Sequence, residues 1–232
     1  DCDDQSPNLS IEQAMQRDIE ILIAPSMFGI PIELPTDQNY KIIEDLAQSF
    51  GAEVDGERIG LRGDVGICSF YATKMITSGG QGGAVISRDK KLIENIKDYR
   101  EFDCREDDKL RFNFQMTDLQ AGIGRIQLKK LPHFIRQREK WFKIYSDIGL
   151  NLIESKFKNH NPVRYRIVHK CNNPKKIIKA LAEEEIKAIV PIEEYELLDN
   201  PKKYLSALSL THSTVSLPAH LNLNETDVLR IG

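Results

Sequence analysis

Four short stretches carry the residue types that could do chemistry. Lys74 leaves an apolar run through the small loop Ser69-Phe70-Tyr71-Ala72-Thr73. An amine just past a buried strand can sit in a partly dry place, where burial disfavours its charged form and frees a lone pair for attack on a carbonyl. A solvated loop lysine is the plainer alternative. Asp45 ends a second apolar run, and Gln48 follows one helical turn later, so a helix there would put both side chains on one side. Ligands of open parallel sheets bind at the carboxyl ends of strands, so Asp45 could face a ligand, or it could only cap the following helix. The run Ser78-Gly79-Gly80-Gln81-Gly82-Gly83 could cradle a phosphate or make a tight turn. It has neither the G-x-G-x-x-G spacing nor a P-loop lysine, and the turn is the simpler reading. Asn113 stands in the fourth stretch, Arg111 to Gln120, just ahead of a helix start that favours anions. An asparagine in such a loop also bonds its own backbone.

The elements that must position these groups are legible as patterns. Ser10-Ile11-Glu12-Gln13 has the form of a capping box, opening a short amphipathic helix that ends near Arg17. Residues 19–24 form an apolar, β-branched strand buried on both faces, and residues 41–44 a second strand. The 16 residues between Pro25 and Tyr40 allow a parallel crossover but are short for one holding a full helix. Residues 45–50 look helical and Gly51 ends them. Residues 65–70 and 83–87 are further strands, and residues 90–101 a charged helix with Leu92, Ile93, Ile96 and Tyr99 on one side. Thr117-Asp118-Leu119-Gln120 is another capping box, followed at helical period by Ile123, Ile126 and Leu131. Pro132 kinks or ends that helix, and residues 134–148 continue as a charged helix carrying Trp141. The alternation predicts a parallel α/β domain over residues 1–147. A strand at 164–169, a helix at 174–185 and strands at 186–190 and 215–218 then predict a smaller α+β domain over 148–232.

Composition narrows the partners. The 232 residues hold 32 Lys plus Arg against 35 Asp plus Glu, a formal charge of −3, so no nucleic-acid partner is expected. The best apolar stretch, residues 21–32, is 12 residues long and is broken by Pro25, Gly29 and Pro31, too short and too interrupted for a membrane span. Cys2, Cys68, Cys104 and Cys171 are scattered with no CxxC pair, which points to buried thiols of a reducing compartment such as the cytoplasm, not to a disulfide frame or zinc site. His133, His160, His169, His212 and His220 show no metal-site spacing, and no metal is expected. His220 could reach a substrate. Arg164 and Arg166 could recognise a carboxylate, although alternation along a strand would leave one of them solvated. The first residue, Asp1 in place of Met, reads as a cut edge.

In order and together, longer stretches resemble one family. Glu44-Asp-Leu-Ala-Gln-Ser-Phe-Gly-Ala52, Gly63-Asp-Val-Gly-Ile-Cys-Ser-Phe-Tyr-Ala-Thr-Lys74, Gly82-Gly-Ala-Val85 and Phe112-Asn-Phe-Gln-Met-Thr-Asp-Leu-Gln-Ala-Gly-Ile-Gly124 are similar to DegT/StrS-type aminotransferases. The likeness is close over residues 42–137 and looser past 150. It implies the fold type I architecture of enzymes using pyridoxal 5'-phosphate (PLP): a mostly parallel α/β sheet, here N-terminally incomplete, with a smaller C-terminal α+β domain. The family carries roughly a domain's worth of further chain, about a hundred residues, ahead of the matched part.

The resemblance also implies roles. Lys74 matches the lysine that holds PLP covalently and later moves protons. Asp45 matches the carboxylate that keeps the pyridine nitrogen protonated, so that the ring can accept electrons. Gln48 matches the contact to the ring's 3-hydroxyl, Ala47 packs on the ring face, and Ser69 matches a phosphate ligand. Asn113 matches a residue that reaches the phosphate of the neighbouring subunit's coenzyme, which implies a homodimer with a shared site. Relatives with His at the lysine position are dehydratases, so Lys74 implies transamination, from glutamate to a nucleotide-linked keto sugar. The alternative is a truncated or non-catalytic relative that binds coenzyme, sugar or a partner chain without turnover.

Overall fold

A computed structural model describes residues 1–35 and 39–232. The chain forms α1 (Ile11–Met15), β1 (Ile21–Pro25), β2 (Lys41–Asp45), β3 (Glu53–Val54), β4 (Glu57–Arg58), β5 (Val65–Ser69), β6 (Gly83–Ile86), α2 (Lys90–Arg100), α3 (Asp118–Asp147), β7 (His160–Asn161), β8 (Ile167–Lys170), α4 (Pro174–Glu183), α5 (Leu205–His212), β9 (Thr214–Leu217) and α6 (Glu225–Ile231). Among the described residues the largest sheet has the order β1-β2-β5-β6. β1, β2 and β5 run parallel, and β6 returns antiparallel to β5. This is the expected mixed α/β, mostly parallel sheet.

The sheet's two faces differ. In the parallel register Leu22 pairs with Ile42 and Ala24 with Glu44, and these four are buried. α1 and the segment after β1 cover part of this face through Leu9, Ile11, Ala14 and Ile32. α3 covers another part, bringing Leu131 and Phe134 against Leu46, Cys68, Met75 and Ile76. Ile21 and Ile23 point the other way and are 57% and 59% exposed. β1 is therefore buried on one face in this chain, not on both as its apolar run suggests. A parallel strand reads as continuously apolar because both its faces are normally covered.

Residues 45–50 are not helical. Leu46 and Ser49 carbonyls accept the Ser49 and Ala52 N–H groups in successive tight turns. With Gly51 only six residues past Asp45, there is too little length to offset helix nucleation. The chain turns instead into the hairpin β3–β4, whose Asp55-Gly56 corner has φ of 54° and 78°. That Asp-Gly pair is the hairpin's own sequence signal.

α3 runs unbroken for 30 residues with Pro132 inside it. Thr117 and Gln120 close a reciprocal capping box at its start. An interior proline costs about 3 kcal/mol, and here the helix is carried by burial of Leu131, Phe134, Trp141 and Tyr145 along one side. Trp141 and Tyr145 serve a separate core with Ile167, Val215, Leu217 and Val228. α3 thus packs into both the sheet core and the core around the β8–β9 pair.

Beyond α3 the strand expected from residue 164 begins at Ile167, and the one expected at 186–190 is reduced to a bridge between Ile189 and Ser216. α5 and α6 are additions. Asn224 and Asp227 form the capping box of α6, a local signal that was available. Among the described residues, no helix is long and apolar enough to cross a membrane.

Candidate active site

Asp45 is the last residue of β2, paired with Ile67 on β5. Ser69 ends β5 two residues further along. Both stand at the carboxyl end of the parallel strands, where the fold leaves room for ligands. One Asp45 carboxylate oxygen accepts the Ala47 N–H at 2.9 Å, so this side chain caps a turn and not a helix. Gln48 sits past Ala47 in the same turn and turns its Oε1 to the Phe28 N–H at 2.7 Å. Among the described residues nothing accepts from the Gln48 amide nitrogen.

The Ser26–Gly29 turn locks onto the site from the β1 side. The Ser26 N–H donates to the Asp45 carbonyl at 3.1 Å. Phe28 adopts φ 59°, strained for a side chain of that size. Gly29 has φ 89°, and its open α-position lets the backbone of residues 164–165 come close: a Cβ there would lie 2.7 Å from the Tyr165 nitrogen. Val163 and Arg166 N–H groups donate to the Gly29 and Phe28 carbonyls at 3.0 and 3.2 Å.

Lys74 lies on the loop that leaves β5. The loop after β5 is tied to the Gly-rich turn by bonds from Phe70 N–H to Gly82 carbonyl, Ala72 N–H to Gly80 carbonyl, and Ser78 N–H to Phe70 carbonyl. The Gly-rich run is therefore a tight turn that shapes the lysine loop. Lys74 is half-buried, its Nζ lying 5.5 Å from the centre of the Tyr165 ring. Among the described residues no carboxylate lies within ion-pair distance of that amine. Ser69 Oγ accepts only a long bond, 3.4 Å, from the Tyr71 N–H, so its hydroxyl proton is free to donate.

Contacts thus link Asp45, Ala47, Gln48 and Phe28 in one direction and Tyr165 and Lys74 in the other, with Ser69 at the same sheet end. Asn113 is not among them. It is exposed on a segment that docks on the end of α2, where Phe112 and Phe114 N–H groups donate to Tyr99 and Arg100 carbonyls at 2.9 and 3.2 Å. Asp98 and Asp107 clamp Arg111 beside it.

The arginines divide clearly. Arg164 is buried, not solvated, with bonds of 2.8 and 2.6 Å to Glu139 and Glu154 and its guanidinium 3.5 Å from the Phe142 ring centre. Burial works against its charge, but the two carboxylates outweigh it and hold the group more strongly protonated. Arg166 donates to Ser216 Oγ at 3.2 Å and keeps a buried Nε without a partner. His160 is buried between Ser155 Oγ, at 2.8 Å, and Glu33, at 3.0 Å. His220 and His133 are exposed. Among the described residues no cluster could hold a metal. Of the four cysteines expected to be buried only Cys68 is; Cys104 is exposed and Cys2 and Cys171 are half-buried. Cys68, on the covered side of β5, has its thiol pushed up to about 11 by burial first and by the Asp45 charge second. An apolar groove of about 370 Å³ lies behind Phe28, and none of Asp45, Gln48, Ser69 or Lys74 lines it.

The donor set at the sheet end fits PLP: an amine free of carboxylates, a carboxylate with one uncommitted oxygen, an amide N–H₂ and a hydroxyl. Phe28 and Tyr165 are the participants that sequence reasoning missed. Neither carries a local signal, since each arrives by tertiary contact.

The chain was compared with known proteins. It is 27% identical over 254 residues to the UDP-4-amino-4,6-dideoxy-N-acetyl-beta-L-altrosamine transaminase of Helicobacter pylori, a match over 97% of this chain and 67% of that protein. Across four curated relatives the matched stretch covers 45%, 67%, 65% and 40% of the relative's own length. The fold superposes on a DegT DnrJ EryC1 StrS aminotransferase from Brucella abortus with a TM-score of 0.84 at 22% identity, over 99% of this chain and 69% of that one. It also superposes on the PLP form of Spr1654 from Streptococcus pneumoniae with a TM-score of 0.83 at 19% identity, over 100% of this chain and 72% of that one. The DegT/DnrJ/EryC1/StrS aminotransferase family model matches residues 10–232, and the chain belongs to that family.

Proposed function

We propose that this chain carries most of the machinery of a PLP-dependent sugar aminotransferase, moving an amino group from glutamate to a nucleotide-linked keto sugar. What supports the reading is that Asp45 and Ser69 end adjacent parallel strands, that Gln48 follows in the turn after Asp45, and that Lys74 follows on the loop after Ser69 beside the Tyr165 ring. When bound, the coenzyme supplies an aldehyde for the amine and a ring that takes up electrons. The protein's part is to hold and polarise. Lys74 Nζ would hold the coenzyme covalently and, once released from it, would move a proton at the substrate carbon. The free Asp45 oxygen keeps the ring nitrogen protonated, Gln48 donates to the ring oxygen, Ala47 packs on the ring face, and Ser69 donates to the phosphate. Arg166, with its unpartnered Nε, suits the carboxylate of the amino donor better than Arg164, whose donors are already committed.

Asn113, exposed and away from the other groups, fits a role in a second subunit's site, so the reading includes a homodimer. It also includes the division into a coenzyme domain, residues 1–147, and a smaller domain, residues 148–232, in a cytoplasmic protein. The test is direct. Purified protein mixed with PLP should develop a visible absorbance band, and Lys74→Ala should abolish it while leaving the far-ultraviolet circular dichroism unchanged. Absence of a band in the wild type sinks the catalytic reading. The exposed Ile21 and Ile23 favour one rival, a chain that binds a partner without turnover. Amino transfer from glutamate by the protein separates the two.

A further inference from the structure

The segment that carries the aromatic ring beside Lys74 is bonded from two sides. The Tyr165 carbonyl accepts Arg138 Nη1 at 2.9 Å, and the Arg164 carbonyl accepts the same nitrogen at 3.1 Å. Arg138 projects from the middle of α3, and burial lowers its hold on its proton. Spending a buried guanidinium on two backbone carbonyls fixes the segment firmly, because charge-assisted bonds are stronger than neutral ones. On its other side the same segment is stitched to Phe28 and Gly29, whose missing Cβ admits the Tyr165 nitrogen. The ring itself packs on the core containing Met75 and Ile76, the two residues directly after Lys74. The ring face is then presented to Lys74 Nζ at 5.5 Å, with the Arg166 guanidinium 5.8 Å from the ring centre. A lysine stem has four rotatable bonds, and without a carboxylate partner the amine would sample many positions.

We infer that Tyr165 is a positioning residue for Lys74, an aromatic shelf that restricts the amine to the mouth of the site formed by Asp45 and Ser69. The face of an aromatic ring attracts an ammonium without neutralising it or competing for its lone pair once it is deprotonated. A carboxylate in the same place would bind the amine too strongly for it to act. The shelf also couples the β8 end of the chain, and α3 through Arg138, to the lysine loop. The kinetic part of this inference rests on the catalytic reading above; the structural part does not.

The experiment uses the full chain without coenzyme first. In wild-type protein the Lys74 ε-methylene protons should be displaced upfield by the ring current, with cross-relaxation to Tyr165 ring protons, the signals being assigned through Lys74→Arg. Tyr165→Phe should keep the displacement and Tyr165→Leu should abolish it. Absence of both signals in the wild type overturns the inference whether or not Tyr165→Leu folds. With coenzyme and glutamate, Tyr165→Leu should lower kcat about tenfold with little change in KM, and Tyr165→Phe should restore most of it. A wild type that takes up no coenzyme fails the catalytic reading while leaving the resonance test standing. An active Tyr165→Leu protein with unchanged kcat overturns the shelf alone.

Discussion

Glu44 and Asp45 are adjacent carboxylates on one strand, and they do opposite work. β2 is pleated, so consecutive side chains face opposite sides of the sheet. Glu44 is 2% exposed on the covered face. Its two oxygens accept N–H groups from Gly60, Arg62 and Gly63 at 3.0, 2.7 and 2.9 Å, which pins the turn leading into β5. Asp45 is half-buried on the open face and accepts one N–H, from Ala47. The first carboxylate is saturated by the fold. The second keeps capacity for something the chain does not itself provide. Arg164 and Lys74 repeat the contrast among cations, one bound by two carboxylates and an aromatic ring, the other beside a ring alone. Polar groups that hold a fold together use up their bonds, and groups that serve a ligand must leave some unmade.

The sharpest way to break this contrast is to remove each carboxylate. Glu44→Ala strands three N–H groups with no acceptor, at about 1–3 kcal/mol each where they are buried. Urea unfolding should show a loss of roughly 3–5 kcal/mol. Asp45→Ala should cost about 1 kcal/mol or less, the value of one turn-capping bond. Equal losses would mean that Asp45 is a structural residue and that the open face has no functional character.

A smaller effect separates the faces by their apolar residues. Leu22, 6% exposed, and Ile23, 59% exposed, are neighbours of nearly equal volume on β1. Leu22→Ala should cost about 2–4 kcal/mol through lost burial and the cavity left behind. Ile23→Ala should cost about 0.5 kcal/mol or less in a protein whose sheet face stays open. A loss above about 2 kcal/mol for Ile23→Ala would show that this face is covered in solution, as a parallel sheet ordinarily is.

These contrasts also mark what could be read from the sequence. β1, β2, β5, β6, α2 and the start of α3 follow from runs of Ile, Leu and Val and from the Thr117 and Asp89 caps, which are local, whereas the two-residue strands β3, β4 and β7 carry no such run. The positions of Asp45 and Ser69 at one sheet end follow from strand direction alone. What could not be read depended on contacts distant in sequence. The bond of Gln48 to the Phe28 N–H joins segments 20 residues apart, and the continuity of α3 past Pro132 comes from two cores acting on one helix. The burial of Arg164 depends on Glu139 and Glu154, which a strand-alternation rule does not see. A one-sided sheet and a two-sided one have the same apolar text.

The two faces also sense each other electrically, through Cys68. Its thiol lies on the covered side of β5 and is pushed up to about 11, from an ordinary 9.0, by burial and then by the Asp45 charge. The unfolded chain releases this proton near pH 9 and the folded chain only near pH 11. Between those values the unfolded state binds fewer protons than the folded one, so stability falls as pH rises. Two pH steps correspond to at most about 3 kcal/mol, and this loss should be missing in Cys68→Ala when unfolding is followed across pH 8–11. Asp45→Asn should shrink the fall only slightly, since desolvation leads and the carboxylate's charge is the second cause. If Asp45→Asn removed most of it, the open-face charge would govern the covered core, and the separation between a structural face and a functional face would fail. If Asp45→Asn changed nothing, Asp45 would have to be screened from β5 by solvent, leaving its charge wholly available to a ligand.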